Sequence, residues 1–187
     1  VKADTGYYTV YATWLHMLLD AYNKRVALGE LRGDQAQHDV IERFNRLRNE
    51  LLARRAGGWL EKLKGKTIRP QPKGLYVWGP VGRGKTMLMD LFFETSAVVR
   101  KRRVHFHEFM ADVHERVYVY RQEIKNGEAN EHDPIQRAAA AIAEESWLLC
   151  FDEFHITDIA DAMILGRLFT RLFELGVVVV TTSNVAP

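Results

Sequence analysis

Cysteine, net charge and long apolar runs are all scarce in this sequence. Cys150 is the only cysteine among 187 residues, which excludes an intramolecular disulfide framework and is typical of a reducing compartment. No apolar run approaches the roughly 20 residues that a membrane-spanning helix needs. The net charge of +2 is too small to indicate a nucleic-acid partner. Because the first residues show neither a signal-peptide pattern nor an initiator Met, we expect upstream sequence to have been removed.

A glycine-rich stretch stands out in the middle of the chain. It follows the apolar run 75–78 and precedes a helical pattern. This order of strand, G-x-x-x-x-G-K-[ST] loop and helix is that of a Walker A phosphate site. The glycines let successive N–H groups turn inward around phosphate oxygens, and the helix adds its positive N-terminal end. Lys85 would contact the β- and γ-phosphates, and the Thr86 hydroxyl would ligate Mg²⁺. The residues predicted to bind nucleotide are Gly79, Pro80, Val81, Gly82, Arg83, Gly84, Lys85, Thr86 and Met87.

Two carboxylates directly follow the continuous apolar run 147–151, which predicts a strand buried on both faces of a parallel sheet. Ligands bind at the carboxyl ends of such strands. Asp152 would therefore hold Mg²⁺, directly or through water, and Glu153 would orient or deprotonate an attacking water. A pair of solvated carboxylates is the alternative, and the nearby Walker A pattern disfavours it. Asn184 follows the last predicted strand and could position the same water, although its spacing alone slightly favours an ordinary turn asparagine.

Helical and strand patterns alternate along the chain and predict an α/β fold with a parallel sheet. Residues 11–28 show a helical apolar face, and Asp34 with Gln37 forms a capping-box pattern for a second helix ending at Gly57–Gly58. A proline-containing, basic segment over 62–73 is typical of a linker. We therefore predict an N-terminal helical segment and linker over 1–69 and a nucleotide-binding core over 70–187. The predicted strands of the core are 75–78, 103–107, 147–151 and 177–182.

Two further groups of residues suggest weaker hypotheses. His105 and His107 alternate on a predicted strand and could grip a metal together with His114, although packing is the preferred interpretation. The basic run 100–103 could contact the phosphates of a polymer, although a solvated charge cluster at a helix–strand junction is favoured. Gln37 and the aromatic residues of the first helix are candidates for holding adenine.

Several stretches also occur together in one order and spacing. The residues concerned are 74–79, 81–86, 105–110, 150–154, 158–159, 161–163 and 182–184, with Asp34 and Gln37. From about residue 20 to its end, the chain resembles the AFG-like ATPase family. The boxes at 105–110 and 150–154 are more specific for that family than a Walker A pattern alone.

The resemblance implies a P-loop NTPase of the AAA+ type that assembles as a homo-oligomeric ring and hydrolyses Mg²⁺-ATP to ADP and phosphate. It assigns Lys85 and Thr86 to Walker A, Asp152 and Glu153 to Walker B, and Asn184 to sensor one, which favours a site role for Asn184. The family is linked to bacterial cell division and to mitochondrial inner-membrane proteins. It therefore implies a protein partner in the division machinery or at a membrane, and a bacterial cytoplasmic location with the mitochondrial matrix as the alternative.

One departure from the AAA+ pattern concerns the end of the chain. The sequence stops at Pro187, before the arginine finger, fifth strand and helical lid that AAA+ proteins carry. We therefore expect the lid to be absent and the first strand to lie at an exposed sheet edge. We also expect weak turnover, because an arginine finger contributes on the order of 10³–10⁵ in rate where it operates.

Three other functions stay open at this level. A nucleotide-dependent interaction module without turnover would use the same binding residues. A P-loop kinase would need an acceptor pocket and a lid, and the 150–154 box followed by Asn184 argues against it. A nucleic-acid translocase related to helicase loaders is the nearest alternative ATPase, and its DNA binding would depend on salt and on residues 100–103.

Overall fold

The structure, a computed structural model, describes residues 18–64, 71–127 and 133–187, with side chains given outside 55–64. The chain divides into two compact units. The first unit comprises the chain up to Pro72 together with Pro80–Val98, and the second comprises Lys73–Gly79 and Val99–Pro187. The domain boundary predicted near residue 70 stays a prediction.

Ten helices and strands follow one another along the described ranges. The helices are α1 (18–27), α2 (Gln35–Lys64), α3 (Lys85–Thr95), α4 (Phe106–Lys125), α5 (Pro134–Glu145) and α6 (Ile159–Glu174). The strands are β1 (Leu75–Trp78), β2 (Lys101–His105), β3 (Leu148–Asp152) and β4 (Val178–Ser183). Among these residues, no helix is both long enough and apolar enough to cross a lipid bilayer.

The second unit is built on a four-stranded sheet in the order β1-β4-β3-β2, in which every neighbouring pair is parallel. The predicted α/β fold with a parallel sheet is therefore confirmed, and β1 lies at one edge of the described sheet as predicted. Every residue of β3 is buried, as its unbroken apolar sequence predicts. Because all four strands run the same way, their carboxyl ends meet at one edge of the sheet. Gly79, Asp152 and Asn184 lie at that edge or directly beyond it.

The core of this unit lies between one face of the sheet and helices α4, α5 and α6. Alternate residues of the strands supply it, among them Leu149, Phe151 and Val179, because successive strand side chains point to opposite faces. The helices contribute apolar residues at helical spacing, such as Phe109 and Val113 of α4. Asp152 falls on the opposite face from Phe151, away from this core.

The first unit packs α2 against α3. Phe44 and Phe92 stack with their ring centroids 4.8 Å apart, and both are fully buried. Leu18 and Tyr22 of α1 are also buried, which confirms the predicted apolar face over the described part of that helix; residues 11–17 lie outside it. Gly29 ends α1 with a φ of 72°, a conformation that favours glycine.

Two predicted boundaries of the first unit are wrong or only partly described. The second helix does not end at Gly57–Gly58 but continues to Lys64, so residues 62–64 of the predicted linker are helical. A glycine inside a helix costs only about 1 kcal/mol relative to alanine, and the helix-forming residues on both sides offset that cost. Residues 65–70 of the predicted linker lie outside the described ranges.

The predicted second strand is also displaced. It was placed over 103–107, whereas β2 runs from Lys101 to His105 and α4 begins at Phe106 without a connecting loop. The buried residues of α4 recur at helical spacing: 106, 109, 110, 113 and 117. Residues 106 and 107 therefore belong to the helix and not to the predicted strand. His105 and His107 therefore do not share a strand face, and that prediction is wrong.

Candidate functional site

The glycine-rich loop links the end of β1 to the start of α3. Gly79 closes β1 by donating its N–H to the carbonyl oxygen of Ser183 at 3.2 Å, within the second unit. Gly82 and Gly84 have φ values of 79° and 76°, which residues with a side chain rarely adopt. Gly84 is the N-cap of α3 and makes no side-chain capping hydrogen bond. The loop therefore leads directly into the positive end of α3, where anions bind favourably.

Lys85 and Thr86 occupy the first turn of α3. The Lys85 ammonium group donates to the carbonyl oxygen of Pro80 at 2.8 Å, so this side chain reaches back across its own loop. Thr86 is exposed and Lys85 is half-buried. Lys85 and Thr86 are therefore neighbours at the start of this helix, and their roles in binding phosphate and Mg²⁺ stay predictions. Pro80 to Met87 all belong to the first unit.

Asp152 ends β3 with its side chain almost fully buried, at 2% exposure. Its Oδ1 accepts hydrogen bonds from the Thr182 hydroxyl and, at 3.2 Å, from the N–H of Glu153. Its Oδ2 accepts a hydrogen bond from the Arg103 guanidinium at 3.2 Å. Neighbouring strands on both sides thus hold the carboxylate in one orientation. A buried carboxylate needs such partners, because desolvation alone would favour its neutral form.

Glu153 leaves the sheet in an unusual backbone conformation. Its φ of 55° is the one positive value at a non-glycine position in the described ranges. The next residue is tied to β4, because Phe154 donates its N–H to the carbonyl oxygen of Thr182 at 2.8 Å and accepts at its own carbonyl from the Ser183 hydroxyl. Glu153 itself is exposed. Strained backbone of this kind costs of order 1–3 kcal/mol and clusters at functional sites.

Asn184 directly follows β4 and is exposed. Since β4 lies between β1 and β3, the structure brings Asn184 to the same edge of the sheet as Gly79, Asp152 and Glu153. The predicted residues of the second unit therefore come together where the strands end, although they are up to 105 positions apart in sequence.

Arg103 and Thr182 are the site residues that sequence reasoning missed. The basic run 100–103 had been interpreted as a polymer contact or a solvated cluster, and the structure corrects the second interpretation. The first three residues of β2 are Lys101, Arg102 and Arg103. Two of them pair with carboxylates, Arg102 with Asp112 and Arg103 with Asp152. Alternation along a strand could have placed Arg103 and His105 on one face, but only the register shows which face meets Asp152.

A second charged network lies in α4 and its neighbours. Arg116 donates to Asp112 at 2.7 Å and forms a two-pronged pair with Glu145, while Arg102 donates to the other Asp112 oxygen at 2.5 Å. Burial raises the pKa of Asp112, but the hydrogen bonds and charges of Arg116 and Arg102 outweigh it and lower the pKa overall. The hydrogen bond to Glu145 is the largest cause that raises the pKa of Arg116.

The histidines do not form a metal site in the described ranges. No group of three or more His, Cys, Asp or Glu residues there is placed to hold an ion. The rings of His105 and His107 lie 5.8 Å apart, and His114 instead forms a 2.7 Å contact with Asp161. Cys150 is fully buried in β3.

Comparisons with known proteins give consistent results. A family model described as AFG1-like ATPase matches residues 17–187. Lactation elevated protein 1 homolog B from Danio rerio is 54% identical over 119 residues, covering 62% of this chain and 24% of its own length. Cell division protein ZapE from Escherichia coli K12 is 39% identical over 177 residues, covering 89% of this chain and 45% of its own. The chain thus spans less than half the length of these curated relatives.

Two solved structures of the replication initiation protein DnaA are similar in fold at low identity. Domain III from Thermotoga maritima gives a TM-score of 0.42 at 20% identity, covering 72% of this chain and 51% of that one. AMPPCP-bound DnaA from Aquifex aeolicus gives a TM-score of 0.46 at 15% identity, covering 84% of this chain and 41% of that one.

Proposed function

The chain belongs to the AFG1-like ATPase family, and from that premise we propose that it binds ATP with Mg²⁺ and hydrolyses it to ADP and phosphate. One observation carries the proposal. The strand β3 ends in a buried, immobilised carboxylate, Asp152, followed by an exposed carboxylate, Glu153, on strained backbone. A structural pair of acids would not need two such different environments, whereas a metal ligand and a general base do.

In this proposal the loop and the start of α3 bind the phosphates. The backbone N–H groups of the loop and the ammonium group of Lys85 neutralise phosphate charge, and Gly82 and Gly84 allow the required curvature. The left-handed glycines and the position of the loop at the N-terminal end of α3 support this role.

Thr86 and Asp152 would hold Mg²⁺. Hydroxyl and carboxylate oxygens are the ligands that this ion prefers, and Mg²⁺ commonly binds through one or two protein groups, with water and phosphate completing its shell. When bound, the ion would neutralise charge on the β- and γ-phosphate oxygens.

Glu153 and Asn184 would act on the attacking water. Glu153 would accept a proton from the water as the water oxygen bonds to the γ-phosphorus of ATP. The bond between the γ-phosphorus and the β,γ-bridging oxygen breaks, and that oxygen leaves with ADP. Asn184 would orient the same water. Their common position beyond the ends of adjacent strands supports this pairing.

We further propose that turnover acts on a protein partner, within a homo-oligomeric ring of the whole protein. The name of the Escherichia coli relative, a cell division protein, supports a partner in the division machinery. We also propose that this partner is associated with a membrane and that the protein is located in the bacterial cytoplasm, with the mitochondrial matrix as the alternative. A nucleic-acid partner is disfavoured, because Arg102 and Arg103 already pair with carboxylates of the protein.

Binding and turnover can be measured on the same samples. A fluorescent ADP analogue with Mg²⁺ is titrated into wild type, Lys85→Ala and the control Lys73→Ala, which changes an exposed lysine before β1. We expect micromolar binding that only Lys85→Ala abolishes. Phosphate release is then compared between wild type, Glu153→Gln and the exposed control Glu115→Gln.

The outcomes separate the possible functions. Binding with turnover that Glu153→Gln abolishes supports the ATPase proposal. Binding without turnover in the wild type favours a nucleotide-dependent interaction module. Binding that is equal in wild type and Lys85→Ala would contradict the assigned phosphate site.

A further inference from the structure

A buried polar cluster joins the start of α2 to the glycine-rich loop, within the first unit. Gln37 is only 7% exposed, and both ends of its amide are engaged. Its Oε1 accepts a hydrogen bond from the Tyr22 hydroxyl at 3.0 Å, and its Nε2 donates to the carbonyl oxygen of Arg83 at 3.1 Å. Gln37 therefore connects α1 to the loop through one side chain.

The side chain of Asp34 binds the side chain of the same loop residue, Arg83. One Asp34 oxygen caps α2 by accepting the N–H of Gln37 at 2.8 Å, and the other pairs with the Arg83 guanidinium at 2.7 Å. The capping-box prediction is thus confirmed for Asp34, whereas the Gln37 side chain turns to the loop. The ion pair is partly exposed and contributes little by itself, so Gln37 is the stronger of the two contacts.

The carbonyl that Gln37 binds lies at a sensitive position. Arg83 stands between Gly82 and Gly84, whose left-handed backbones are among the most easily rearranged in a loop. The Arg83 carbonyl and the Gly84 N–H belong to one planar, trans peptide, so they point in opposite directions. A hydrogen bond that fixes the carbonyl therefore also fixes the direction of the Gly84 N–H, one of the donors that a phosphate loop turns toward its ligand.

Gln37 also limits the space beside the loop. A Cβ atom added to Gly84 would lie 3.3 Å from Gln37 Nε2, closer than most Cβ contacts in proteins, so the amide lies directly against this glycine. The amide of Gln37 is thus packed against the loop as well as bonded to it.

We propose that Gln37 is a positioning residue that holds the glycine-rich loop in its phosphate-binding conformation, so that nucleotide binding is coupled to the packing of α1 on α2. The proposal rests on the proposed function, since it assumes a nucleotide in that loop. It is distinct from the interpretation of Gln37 as an adenine contact, which stays a prediction. Coupling of this kind is reciprocal, so bound nucleotide stabilises the contact between Tyr22 and Gln37.

The central test separates a positioning role from a merely structural one. Gln37→Met keeps the side-chain volume but leaves the buried Tyr22 hydroxyl without a partner, which destabilises the protein. Adding Tyr22→Phe removes that hydroxyl, and replacing both members of a hydrogen-bonded pair by apolar groups of similar shape is nearly neutral. The double variant therefore regains stability but still lacks the bond to Arg83.

Binding of the fluorescent ADP analogue with Mg²⁺ and thermal unfolding without nucleotide are measured on each protein. We expect the double variant to unfold within a few degrees of wild type yet bind roughly 5- to 10-fold more weakly, the loss of about one hydrogen bond. Tyr22→Phe alone keeps the bond to Arg83 but loses the contact through which α1 is coupled, so it should weaken binding, and by less than the double variant does. The matched control is Gln35→Met, which changes an exposed glutamine of the same helical turn whose side chain donates to Asp39. This variant should change neither the affinity nor the unfolding temperature.

Hydrogen exchange provides an independent readout. Nucleotide should slow amide exchange in residues 18–27 of the wild type, and this protection should disappear in the double variant. Binding by the double variant as tight as that of wild type, or equal protection in both, overturns the proposal while leaving the proposed function intact. If the wild type does not bind the analogue, the proposed function itself fails, and this inference fails with it.

Discussion

The Arg103 guanidinium in β2 donates a hydrogen bond to the Asp152 carboxylate in β3, across 3.2 Å. The two residues lie on the same sheet face but are displaced along it, because Arg103 is paired in register with Cys150 and Asp152 with His105. Arg103 thus places a positive charge against the group proposed to hold Mg²⁺. An ion pair between two strands thus includes the carboxylate that is proposed to bind Mg²⁺.

This contact predicts how Mg²⁺ acts on an Arg103→Gln variant. Removing the guanidinium leaves a buried carboxylate with less compensating charge, so we expect a loss of about 1–3 kcal/mol in the free energy of unfolding without metal. Mg²⁺ with ADP should then stabilise the variant more than it stabilises wild type, because the cation replaces the missing charge. Urea unfolding with and without Mg²⁺-ADP measures both effects.

Arg102→Gln is the matched control, since Asp112 keeps Arg116 as a partner when Arg102 is lost. It should respond to Mg²⁺-ADP as wild type does. Equal stabilisation of Arg103→Gln and wild type by Mg²⁺-ADP would show that Arg103 does not act through Asp152.

Adjacent threonines of β4 should respond in opposite directions. The Thr182 hydroxyl donates to Asp152, whereas the buried Thr181 hydroxyl has no hydrogen-bond partner in the described ranges. Thr182→Val should therefore cost about 1–3 kcal/mol of unfolding free energy, while Thr181→Val should be neutral or stabilising. Thr182→Ser keeps the donor and should recover most of the loss. Equal destabilisation by the two valine substitutions would argue against the assigned hydrogen bond.

A buried arginine of α2 predicts a stabilising substitution. Arg48 is 1% exposed, its three guanidinium nitrogens have no hydrogen-bond partner in the part of the chain described, and burial lowers its pKa. Replacing an unpaired buried charge by an apolar side chain removes its desolvation cost, so Arg48→Met should raise the free energy of unfolding by about 1–3 kcal/mol. The exposed Arg43→Met on the same helix should lie within about 0.5 kcal/mol of wild type. Chemical denaturation compares the three proteins, and a destabilised Arg48→Met would show that the guanidinium has a stabilising role of its own.

The lowered pKa of Asp112 predicts a dependence of stability on acid. A carboxyl whose folded-state pKa lies below its unfolded value of 3.8 stabilises the protein above that pH and loses this contribution as the pH falls through the folded value. Stability should therefore decline below about pH 4, and Asp112→Asn should flatten the decline. Urea midpoints measured from about pH 6 down to about pH 3, a range that spans the ordinary aspartate pKa, give the slopes. Asp20→Asn, on an exposed position of α1, is the control and should retain the wild-type slope.

Local patterns predicted most of the elements in the described ranges. The limits of β1 agree with the predicted strand 75–78, because an apolar run that ends at a glycine is a local signal. The prediction that placed His107 on a strand is wrong, because Phe106, Phe109 and Met110 need a helix to reach the core together. Periodicity in a short segment cannot decide between these two structures, and tertiary burial does.

The residues of the candidate site also divide into those that the sequence could predict and those that it could not. Asp152 and Glu153 could be predicted because an apolar strand ending in two acids is visible in one stretch of chain. Arg103 and Thr182 could not, because their contact with Asp152 depends on strand order and register. A one-residue slip in either pairing would turn these side chains to the other face of the sheet.

The sequence by itself determined the glycine-rich loop, the carboxylate pair and the family, since each depends on short segments whose backbone preferences and residue types are local. Only the tertiary structure decided which groups hold those segments in place. Gln37 reaches the carbonyl of a residue 46 positions away, and Arg103 reaches a carboxylate 49 positions away. Such contacts depend on how helices and strands pack, because burying apolar surface brings these elements together and the polar groups trapped beside it must then find partners.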